Sequence, residues 1–585
     1  MFKNVLIANR GEIAVRIMRT CKDLGIATTA VFSEADRESP HVRQADTSIY
    51  LGPAPARHSY LVIEKLIAAA REAGADAIHP GYGLLSENPD FARAVVDAGI
   101  SFIGPSSEAI ALMGDKVRAR AIAQSCGIPI VPGSDGTVSG EGARKVARQL
   151  GFPIIAKAAA GGGGRGVRVV RDEASLDEAL ASATREAEAS FGRGDMFLEK
   201  LIERARHVEV QIFGDMHGRV IHLGDRDCSL QRRYQKLVEE APAPNLAPEL
   251  RAALHAASVR IACEIGYVGA GTVEFLVDAD GSSFHFLEVN TRLQVEHGVS
   301  ELLTGLDLVE WQLRVAAGEA LPLSQDEVRT NGHAIQVRVA AEDPTTGFRP
   351  STGTIKRLQL PAGPWVRADF GVDTGGEVTP YYDSMIGKVM AWGLSRESAR
   401  QRVLRALSEL RVEGVRTSSM HLAALIGTKT FASVAHDIGW LERETAMSVA
   451  DDLQSATLEE QTPPGLVVDP FVQSVFNTPQ GMIHVDRFVR RKIEREVAEA
   501  VAPRQAVNGS VSRTPKGEPV APIDCTIVQI RVAVGDHVEV GMVLCIVEAM
   551  KMELHVVAEC SGIVSRLLVA EGASVKTNTL LIDLS

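Results

Sequence analysis

An internal repeat near the end of the sequence limits the folds open to this chain more than any other feature. Segments 527–546 and 563–582 share one pattern, in which Gly535, Val538 and Leu544 recur as Gly572, Val575 and Leu581. Short strand-like runs that repeat in this way predict two similar halves that close on each other as a small β domain.

A lysine lies at a turn within this repeat. The stretch Val547-Glu548-Ala549-Met550-Lys551-Met552-Glu553 separates strand-like runs, which predicts a hairpin with Lys551 at its solvent-facing tip. An exposed surface lysine is the simpler interpretation. With the repeat around it, however, the segment resembles a biotinyl carrier domain, whose modified lysine sits in Ala-Met-Lys-Met. The resemblance implies biotin attached to Lys551 by biotin protein ligase. That family usually begins with Ala-Pro-Met-Pro-Gly, so the first turn here, at 521–525, is expected to differ.

The bulk composition limits the functional classes. With 585 residues, 45% of them hydrophobic, the chain is expected to hold several domains, each with its own core. A net charge of −12 argues against a broad basic surface for nucleic acid. No signal peptide or membrane-spanning apolar run is recognisable, so we expect a cytoplasmic protein without a membrane partner. The seven cysteines are scattered, which predicts reduced thiols.

The N-terminal pattern is strand, helix, strand. Residues 5–8 predict a buried strand, 13–24 a helix and the run from Val31 a second strand, which together indicate a parallel sheet with ligands at the strand ends. The first turn lacks Gly-x-Gly-x-x-Gly, so nothing local favours a dinucleotide. The loop His79-Pro80-Gly81-Tyr82-Gly83-Leu84-Leu85-Ser86-Glu87-Asn88 would let the backbone approach a ligand, or it is a tight structural turn.

The next block indicates phosphate binding. Lys116 and Lys157 are candidate phosphate partners on either side of the start of a predicted small lid. The run Gly161-Gly162-Gly163-Gly164-Arg165-Gly166 can present backbone N–H groups to phosphates, although glycine-rich stretches also serve as linkers. The strand-like run 167–170 directly after it favours a hairpin loop. No Gly-Lys-Ser/Thr follows, so the run is not a P-loop.

Two carboxylates on neighbouring strand patterns predict a cation site. Glu274 and Glu288 lie among apolar residues, where charged glutamates need a cation, and Mg²⁺ suits a site beside phosphates. The alternative is a pair of unrelated edge-strand glutamates. The stretch 290–297 adds a cation, amide donors and a carboxylate, which suits gripping and deprotonating a small anion. The charge-dense stretch 225–236 is either a solvated face or an anion site.

Residues 1–447 resemble biotin carboxylase, an ATP-grasp enzyme. The resemblance is carried by Asn9-Arg10-Gly11-Glu12-Ile13-Ala14, the 79–88 loop, the glycine run and the stretch 290–297. It implies a mixed α/β and α+β multidomain fold followed by an all-β, flattened biotinyl/lipoyl-like barrel. The implied domains are a Rossmann-like N-terminal domain (1–114), an ATP-grasp domain (115–330) with a mobile lid at about 131–203, a C-terminal carboxylase domain (331–447), a linker (448–518) and the carrier (519–585).

The resemblance also implies the site residues. The nucleotide and cofactor set comprises Lys116, Lys157, Gly161, Gly162, Gly163, Gly164, Gly166, Glu199, Lys200, Leu201 and His207, with Tyr82, Gln231, Tyr234 and Leu276. Two Mg²⁺ or Mn²⁺ ions are expected on Glu274, Glu288 and Asn290. Bicarbonate is expected on Lys236, Arg292, Gln294 and Val295. Two positions depart from the family, which usually has histidine at Tyr234 and proline at Gly298.

The implied chemistry uses ATP to carboxylate biotin. Glu296 would deprotonate bicarbonate for attack on the ATP γ-phosphate, while Lys236 and the metals neutralise charge. The carboxyphosphate formed would release CO₂ beside phosphate, which by the same resemblance would take the ureido N1 proton of biotin. Arg338 would stabilise the biotin enolate.

No region remains for a carboxyltransferase, so we expect the α subunit of an acyl-CoA carboxylase that works with a separate carboxyltransferase β subunit. The carboxylase body is expected to form a homo-oligomer. A possible helix at 488–501 would cap a neighbouring domain or dock a partner. Alternatives are the carrier half of another biotin-dependent carboxylase, a non-catalytic biotin carrier, a lipoyl carrier fused to a different ligase, and a carbamoyl-phosphate-type enzyme, which would need no swinging arm.

Overall fold

A computed structural model of the chain describes residues 1–159, 166–191, 193–444, 519–550 and 552–584. Gly161, Gly162, Gly163, Gly164, Lys551 and the predicted helix at 488–501 lie outside the described residues. Within those ranges, no helix is both long and apolar enough to cross a membrane.

The N-terminal part is a parallel sheet covered by helices, which confirms the predicted β-α-β opening. The five strands run in the order β3-β2-β1-β4-β5. Val5 and Ile7 on the central strand are fully buried, and the helix after it buries an apolar face that includes Ile13 and Ile17. The elements are β1 (Asn4–Ile7), α1 (Gly11–Asp23), β2 (Ala27–Ser33), α2 (Pro40–Gln44), β3 (Thr47–Gly52), α3 (Ile63–Glu72), β4 (Ala77–His79), α4 (Pro89–Asp97), β5 (Ser101–Phe102), α5 (Ser107–Gly114) and α6 (Lys116–Ser125).

A small three-stranded antiparallel sheet and two helices form the region predicted as a lid. Its elements are α7 (Gly140–Leu150), β6 (Ile154–Ala158), β7 (Val167–Val170), α8 (Leu176–Phe191) and β8 (Met196–Lys200), with strand order β7-β6-β8. Lys157 is the register partner of Val167, so the strands on either side of the glycine run are paired as a hairpin requires.

One eight-stranded sheet, in the order β13-β12-β9-β10-β11-β14-β21-β19, forms the centre of the molecule. The pairing of β11 with β14 joins residues 235–241 to residues 333–340. The elements of this part of the chain, some of which form separate two-stranded sheets, are β9 (Arg206–Gly214), β10 (Val220–Arg232), β11 (Gln235–Ala241), α9 (Pro248–Glu264), β12 (Gly269–Val277), β13 (Phe284–Asn290), α10 (His297–Thr304), α11 (Leu308–Ala316), β14 (His333–Ala340), β15 (Glu342–Asp343), β16 (Arg349–Pro350), β17 (Gly353–Thr354), β18 (Arg357–Gln359), β19 (Val366–Phe370), β20 (Glu377–Val378) and β21 (Met385–Gly393).

The body ends in helices that pack on this sheet. They bury Val403, Leu407 and Leu422 in the same core cluster as Val337 and Val389 of the sheet. The remaining elements are α12 (Arg396–Glu409), β22 (Arg411–Glu413), α13 (Ser419–Gly427) and α14 (Lys429–Ala432), and short 3-10 helices lie at Glu34–Asp36, Ala56–His58, Gln325–Glu327 and Pro344–Thr346.

The C-terminal domain is all β, and its repeated halves exchange their short strands. Val538 of the first half pairs with Gly562 of the second, and Val575 of the second half pairs with Cys525 of the first. The repeated Gly535 and Gly572 both have positive φ, which explains why glycine recurs there. The strands are β23 (Cys525–Ile530), β24 (His537–Val538), β25 (Val543–Ala549), β26 (Met552–Val557), β27 (Gly562–Leu567), β28 (Ser574–Val575) and β29 (Ile582–Leu584), and the predicted hairpin is formed by β25 and β26.

Candidate active site

The site lies on one face of the eight-stranded sheet, and strand alternation places its side chains there. On β9, Val208, Val210 and Ile212 belong to an apolar core cluster. Glu209 and Gln211 alternate with them and point the other way, and both are completely buried. A strand with apolar residues on one face and buried polar residues on the other must satisfy the polar face with charges from its neighbours.

Lys236 is the centre of this polar face. Its Nζ lies 2.5 Å from Glu209 Oε2, 2.7 Å from Glu274 Oε1 and 2.8 Å from Glu296 Oε1. Burial alone would lower the pKa of Lys236, but the three carboxylates outweigh it and raise the pKa well above its ordinary value. The ammonium therefore stays charged at neutral pH, in a position to meet an anion.

Glu296 lies between Lys236 and Arg338. Its Oε2 is 3.0 Å from Arg338 Nη2, and Arg338 Nε donates at 2.5 Å to Glu239 Oε1. Burial would raise the pKa of Glu296, but the charges of Lys236, Arg338 and Arg226 hold it well below its ordinary value. Glu296 is thus ionised at neutral pH and able to accept a proton. The sequence placed Glu296, Arg338 and Lys236 at separate points, and the fold brings them together.

Arg292 is held at the edge of the same cluster. Its Nε donates to Glu87 at 3.0 Å, its Nη1 to Gln294 at 3.0 Å and its Nη2 to Asn290 at 3.1 Å. A guanidinium fixed at each end presents a defined planar face to a carboxylate-like anion. Glu87 belongs to the 79–88 loop, so this loop supports the site through Arg292.

The predicted metal residues lie on adjacent strands with a donor set that fits Mg²⁺. Glu274 and Glu288 are direct cross-strand partners, and Asn290 Nδ2 donates to Glu274 Oε1 at 2.8 Å. Lys116 Nζ is 3.4 Å from Glu288 Oε2. Carboxylate and amide oxygens that share one side of a sheet suit a hard divalent cation, and the lysine contacts show that these glutamates attract positive charge.

The predicted nucleotide residues divide between the lid sheet and the main sheet. Lys157 Nζ lies 2.5 Å from Glu199 Oε2, and Arg120 binds the other oxygen of that carboxylate. Lys200 points elsewhere, because its Nζ donates to the carbonyls of Gly151 and Phe152. The structure therefore couples Lys157 to Glu199 and separates both from the Lys200 ammonium.

Three further predicted positions carry local structural roles. The Leu201 N–H donates to Pro153 O at 3.2 Å, and His207 Nε2 lies 2.9 Å from Glu274 Oε2. Gly166 has a positive φ of 65°, and an added Cβ would lie 2.9 Å from the Ala158 Cβ, so a side chain there would be crowded.

Three other residues of the predicted cofactor set, and Val295 of the predicted bicarbonate set, have buried partners. Tyr82 donates to Glu12, and the pKa of its hydroxyl is raised well above its ordinary value by burial and then by the Glu12 charge. Gln231 is buried and faces Lys236 across the β10–β11 hairpin, while Leu276 is the register partner of His207. Val295 contributes its carbonyl, which accepts from Lys388 Nζ at 2.7 Å.

The two departures from the family occupy different environments. Tyr234 lies in the turn between β10 and β11, is 43% exposed and has a positive φ, as does Arg233 before it. Gly298 lies in the first turn of α10, where an added Cβ would collide with the Met390 sulfur. At position 298, Met390 therefore fills the space that a larger residue would need.

Sequence reasoning missed several charged residues that complete the site. Arg226 is fully buried and donates to Glu209 at 2.5 Å, to Gln211 at 2.7 Å and to Ser300 at 2.9 Å. The alternation of polar and apolar residues in His207-Val208-Glu209-Val210-Gln211 was a usable signal. The other missed residues are Glu239, which binds Arg338, and Lys388 with Glu12, which support Val295 and Tyr82.

Four family models match the chain. Residues 1–110 match the model described as Biotin carboxylase, N-terminal domain, and residues 336–443 match the Biotin carboxylase C-terminal domain. Residues 115–324 match the Carbamoyl-phosphate synthase L chain, ATP binding domain, and residues 517–584 match the model described as Biotin-requiring enzyme. The fold and these matches define an ATP-grasp ligase body joined to a biotinyl carrier domain, with ATP and biotin as its cofactors.

Individual relatives narrow the class. The biotin carboxylase of Halalkalibacterium halodurans is 51% identical over 432 residues, which are 74% of this chain and 95% of that protein. The mitochondrial methylcrotonoyl-CoA carboxylase subunit alpha of Arabidopsis thaliana is 48% identical over 459 residues, which are 78% of this chain and 62% of that protein. The chain belongs to the biotin carboxylase family.

Solved structures agree with this assignment. The Campylobacter jejuni biotin carboxylase β,γ-ATP complex is 48% identical with a TM-score of 0.74, and the match covers 76% of this chain and 99% of that one. The biotin carboxylase domain dimer of Hydrogenobacter thermophilus 2-oxoglutarate carboxylase, in complex with MgADP, ADP and bicarbonate, is 47% identical with the same TM-score of 0.74 and covers 76% of this chain and 98% of that one. The chain thus joins a biotin carboxylase and a biotinyl carrier in one polypeptide.

Proposed function

We propose that this chain uses ATP and bicarbonate to carboxylate biotin carried on its own Lys551, and that the carboxylated carrier then serves a separate carboxyltransferase β subunit that acts on an acyl-CoA. The observation that carries the proposal is Lys236, whose ammonium joins Glu274 to Glu296, with Arg338 on the other oxygen of Glu296. This arrangement combines a base, two cations and a metal ligand within a few ångströms.

Each site residue has its own role in the first half of this reaction. Glu296, which is ionised at neutral pH, takes the proton of bicarbonate while the bicarbonate oxygen attacks the ATP γ-phosphorus and ADP leaves. Lys236 neutralises the charge on the carboxyphosphate so formed. Arg292, held by Glu87 and Gln294, orients bicarbonate, and its fixed geometry lowers the entropy cost of alignment.

Arg338 serves the second half of the reaction. Carboxyphosphate breaks down to CO₂ and phosphate, phosphate takes the proton from the ureido nitrogen of biotin, and the nitrogen then attacks CO₂. Negative charge develops on the ureido oxygen of biotin during this step. The Arg338 guanidinium is already held by Glu239 at 2.5 Å, so it can receive that charge without reorganising.

The residues that would hold the nucleotide and metals are those of the sequence prediction. Lys116, Lys157, Gly161, Gly162, Gly163, Gly164, Gly166, Glu199, Lys200, Leu201 and His207 would bind ATP, with Glu274, Glu288 and Asn290 for Mg²⁺ or Mn²⁺. Mg²⁺ would supply charge neutralisation at the phosphates. The matched ranges support the predicted division at about 114, 330, 447 and 518.

Turnover with free biotin tests the catalytic half. Purified chain should hydrolyse ATP in a reaction that requires bicarbonate and biotin, and Arg338→Gln should lower the rate of biotin carboxylation about 100-fold or more, as expected for loss of one preorganised charge donor. A streptavidin blot should detect wild-type chain and not Lys551→Ala. A wild-type chain that binds streptavidin but shows no bicarbonate-dependent ATP hydrolysis would support the non-catalytic carrier instead.

The acceptor is tested separately. The methylcrotonoyl-CoA carboxylase alpha relatives support an acyl-CoA acceptor, whereas the 2-oxoglutarate carboxylase small subunit of Hydrogenobacter thermophilus, 48% identical over 93% of its length, favours a 2-oxo acid as the second candidate. Co-purification from the host with mass spectrometry, followed by a panel of acyl-CoA thioesters and 2-oxo acids, distinguishes them. Modification by biotin protein ligase, a homo-oligomeric body and a cytoplasmic location remain part of the proposal.

A further inference from the structure

Met550, the last described residue before the carrier hairpin turn, is buried against the carboxylase body. Met550 directly follows β25, and its backbone N–H donates to Pro380 O at 3.0 Å. Its side chain is only 5% exposed, and it belongs to the apolar cluster of the body that contains Val378 and Ile386 rather than to the carrier's own core. By contrast, Met542 of the same carrier domain is 41% exposed. A hairpin-tip methionine thus finds its apolar partners in another domain.

A second carrier residue interacts electrostatically with the same part of the body. Lys576 follows β28 and binds Asp524 of the carrier at 2.8 Å. The pKa of Lys576 is raised, first by its hydrogen bond to Asp524 and further by the charges of Glu377 and Tyr381 of the body. Met550 therefore contacts Pro380 directly, and the charge of Lys576 in another carrier turn interacts with Glu377 and Tyr381. We call residues 377–381 the docking seat.

The docking seat is anchored to the N-terminal domain. The residue after it, Tyr382, is buried, and its hydroxyl donates to Ala54 O at 2.6 Å. The Arg10 guanidinium lies 4.0 Å from the centre of the Tyr382 ring, and Asp36 holds that guanidinium at 2.7 Å. The seat is therefore fixed on a rigid support rather than on a free loop.

The docking seat also adjoins the candidate active site. Met385, five residues beyond Pro380, is the register partner of Ala340, which lies two residues after Arg338 on the neighbouring strand β14. A carrier held at the seat is thereby held beside the residues that would receive its biotin.

We propose that residues 377–381 are the docking seat for this chain's own carrier domain during biotin carboxylation, recognised through Met550 and Lys576. This inference rests on the proposed function. A covalent tether only raises the local concentration of the carrier. The seat adds orientation, which the tether does not supply. Its loss should therefore slow carboxylation of the tethered biotin and leave carboxylation of free biotin unchanged.

The body side is tested with Glu377→Lys in the full-length, biotinylated chain. Glu413→Lys is the matched control, because Glu413 is also an exposed glutamate at a short two-stranded ladder of the same domain. Transfer of label from radioactive bicarbonate to the protein, followed in a single turnover, reports the tethered reaction. ATP hydrolysis with added free biotin reports the catalytic site alone. Glu377→Lys should slow the tethered reaction about two- to fivefold, as expected for an exposed charge contact.

The carrier side is tested with Lys576→Gln against Arg566→Gln. Both cations are exposed on the carrier and bind one aspartate, Lys576 at 2.8 Å and Arg566 at 2.7 Å, so each variant loses a comparable ion pair. The Glu377→Lys and Lys576→Gln effects should be non-additive when combined, whereas Glu377→Lys and Arg566→Gln should be independent.

The outcomes separate the two proposals. Equal tethered rates in Glu377→Lys and Glu413→Lys, or additive effects of Glu377→Lys and Lys576→Gln, would overturn the docking seat while the free-biotin reaction stands. A wild-type chain without free-biotin turnover would overturn the proposed function instead. If Glu377→Lys fails to fold, as shown by loss of free-biotin turnover, the comparison of Lys576→Gln with Arg566→Gln decides the question.

Discussion

Replacing Glu209 with glutamine should slow catalysis through Lys236, although Glu209 was not among the residues predicted from the sequence. The Glu209 side chain is fully buried, and its two oxygens lie 2.5 Å from Lys236 Nζ and 2.5 Å from Arg226 Nε. Glutamine keeps the shape of the side chain but removes its charge. Lys236 would then be drawn toward its two remaining carboxylates, Glu274 and Glu296, and away from the incoming anion.

The expected loss of activity in Glu209→Gln follows from the contacts that Lys236 and Arg226 keep after the substitution. Removing one partner of a buried ion pair costs about 3–5 kcal/mol when the other charge is left alone. Here Lys236 keeps two carboxylates, and Arg226 keeps hydrogen bonds to Gln211, Ser300 and Thr272. The loss should therefore resemble that of one charge-assisted hydrogen bond, about 2 kcal/mol. If it falls on the transition state, kcat decreases about 30-fold.

Glu301→Gln is the matched control, and bicarbonate-dependent ATP hydrolysis is the assay. Glu301 is also a buried carboxylate between two arginines, at 2.8 Å from Arg16 and 2.6 Å from Arg367, and neither arginine is among the predicted site residues. Both variants should lower the melting temperature, and only Glu209→Gln should lower kcat, with KM for ATP unchanged because Lys116 and Lys157 are intact. A Glu209→Gln enzyme with turnover within about twofold of Glu301→Gln would refute the reasoning.

Three further changes have defined outcomes. Burial lowers the pKa of His79 to about 3. The contribution of His79 to the free energy of unfolding is therefore complete above its unfolded pKa of about 6.5 and is lost as pH falls toward 3. His79→Asn should reduce the fall in melting temperature between about pH 7 and pH 5. Gly298→Ala should lower the free energy of unfolding in urea by about 1–3 kcal/mol because its Cβ meets Met390, and Met390→Ala should relieve much of that loss. Arg233→Asn should raise the free energy of unfolding by about 0.5 kcal/mol, and the melting temperature slightly with it, because asparagine tolerates the positive φ of 48° at this turn.

Each of these three predictions has a specific result that would contradict it. An unchanged pH slope in His79→Asn would mean that His79 is not the titrating group. Full additivity of Gly298→Ala and Met390→Ala would mean that the two side chains do not compete for one space. A lower melting temperature for Arg233→Asn would mean that the arginine side chain contributes more than its backbone strain costs.

Local features of the fold could be predicted because their signals lie close together in the sequence. The β1–α1–β2 unit and the β25–β26 hairpin follow from the 3.6-residue and two-residue periods of their apolar residues. The pairing of β11 with β14 joins residues about one hundred positions apart, and the exchange of short strands in the carrier joins its two halves. No local period specifies such pairings, since they depend on which partner buries the most apolar surface.

The candidate site also contains residues that could be predicted from the sequence and residues that could not. Resemblance to a known family supplied Lys236, Glu296 and Arg338, and the structure brings the three together. It did not supply Glu209 or Arg226, because a buried carboxylate and a buried guanidinium can be interpreted from sequence only once their partner is known. The contacts of the Lys200 ammonium with backbone carbonyls of the predicted lid region were likewise not indicated by the sequence.

The charges around Lys236 explain why this site suits a reaction that begins with an anion and a polyphosphate. Glu209, Glu274 and Glu296 hold the ammonium of Lys236, and Glu239 holds Arg338, so both cations are aligned before any substrate binds. Such alignment costs stability, because each buried charge must be desolvated. The same arrangement removes the reorganisation that a flexible lysine or arginine in water would undergo during the reaction. Carboxylates that play no direct part in bond making are therefore as necessary to the site as the cations they hold.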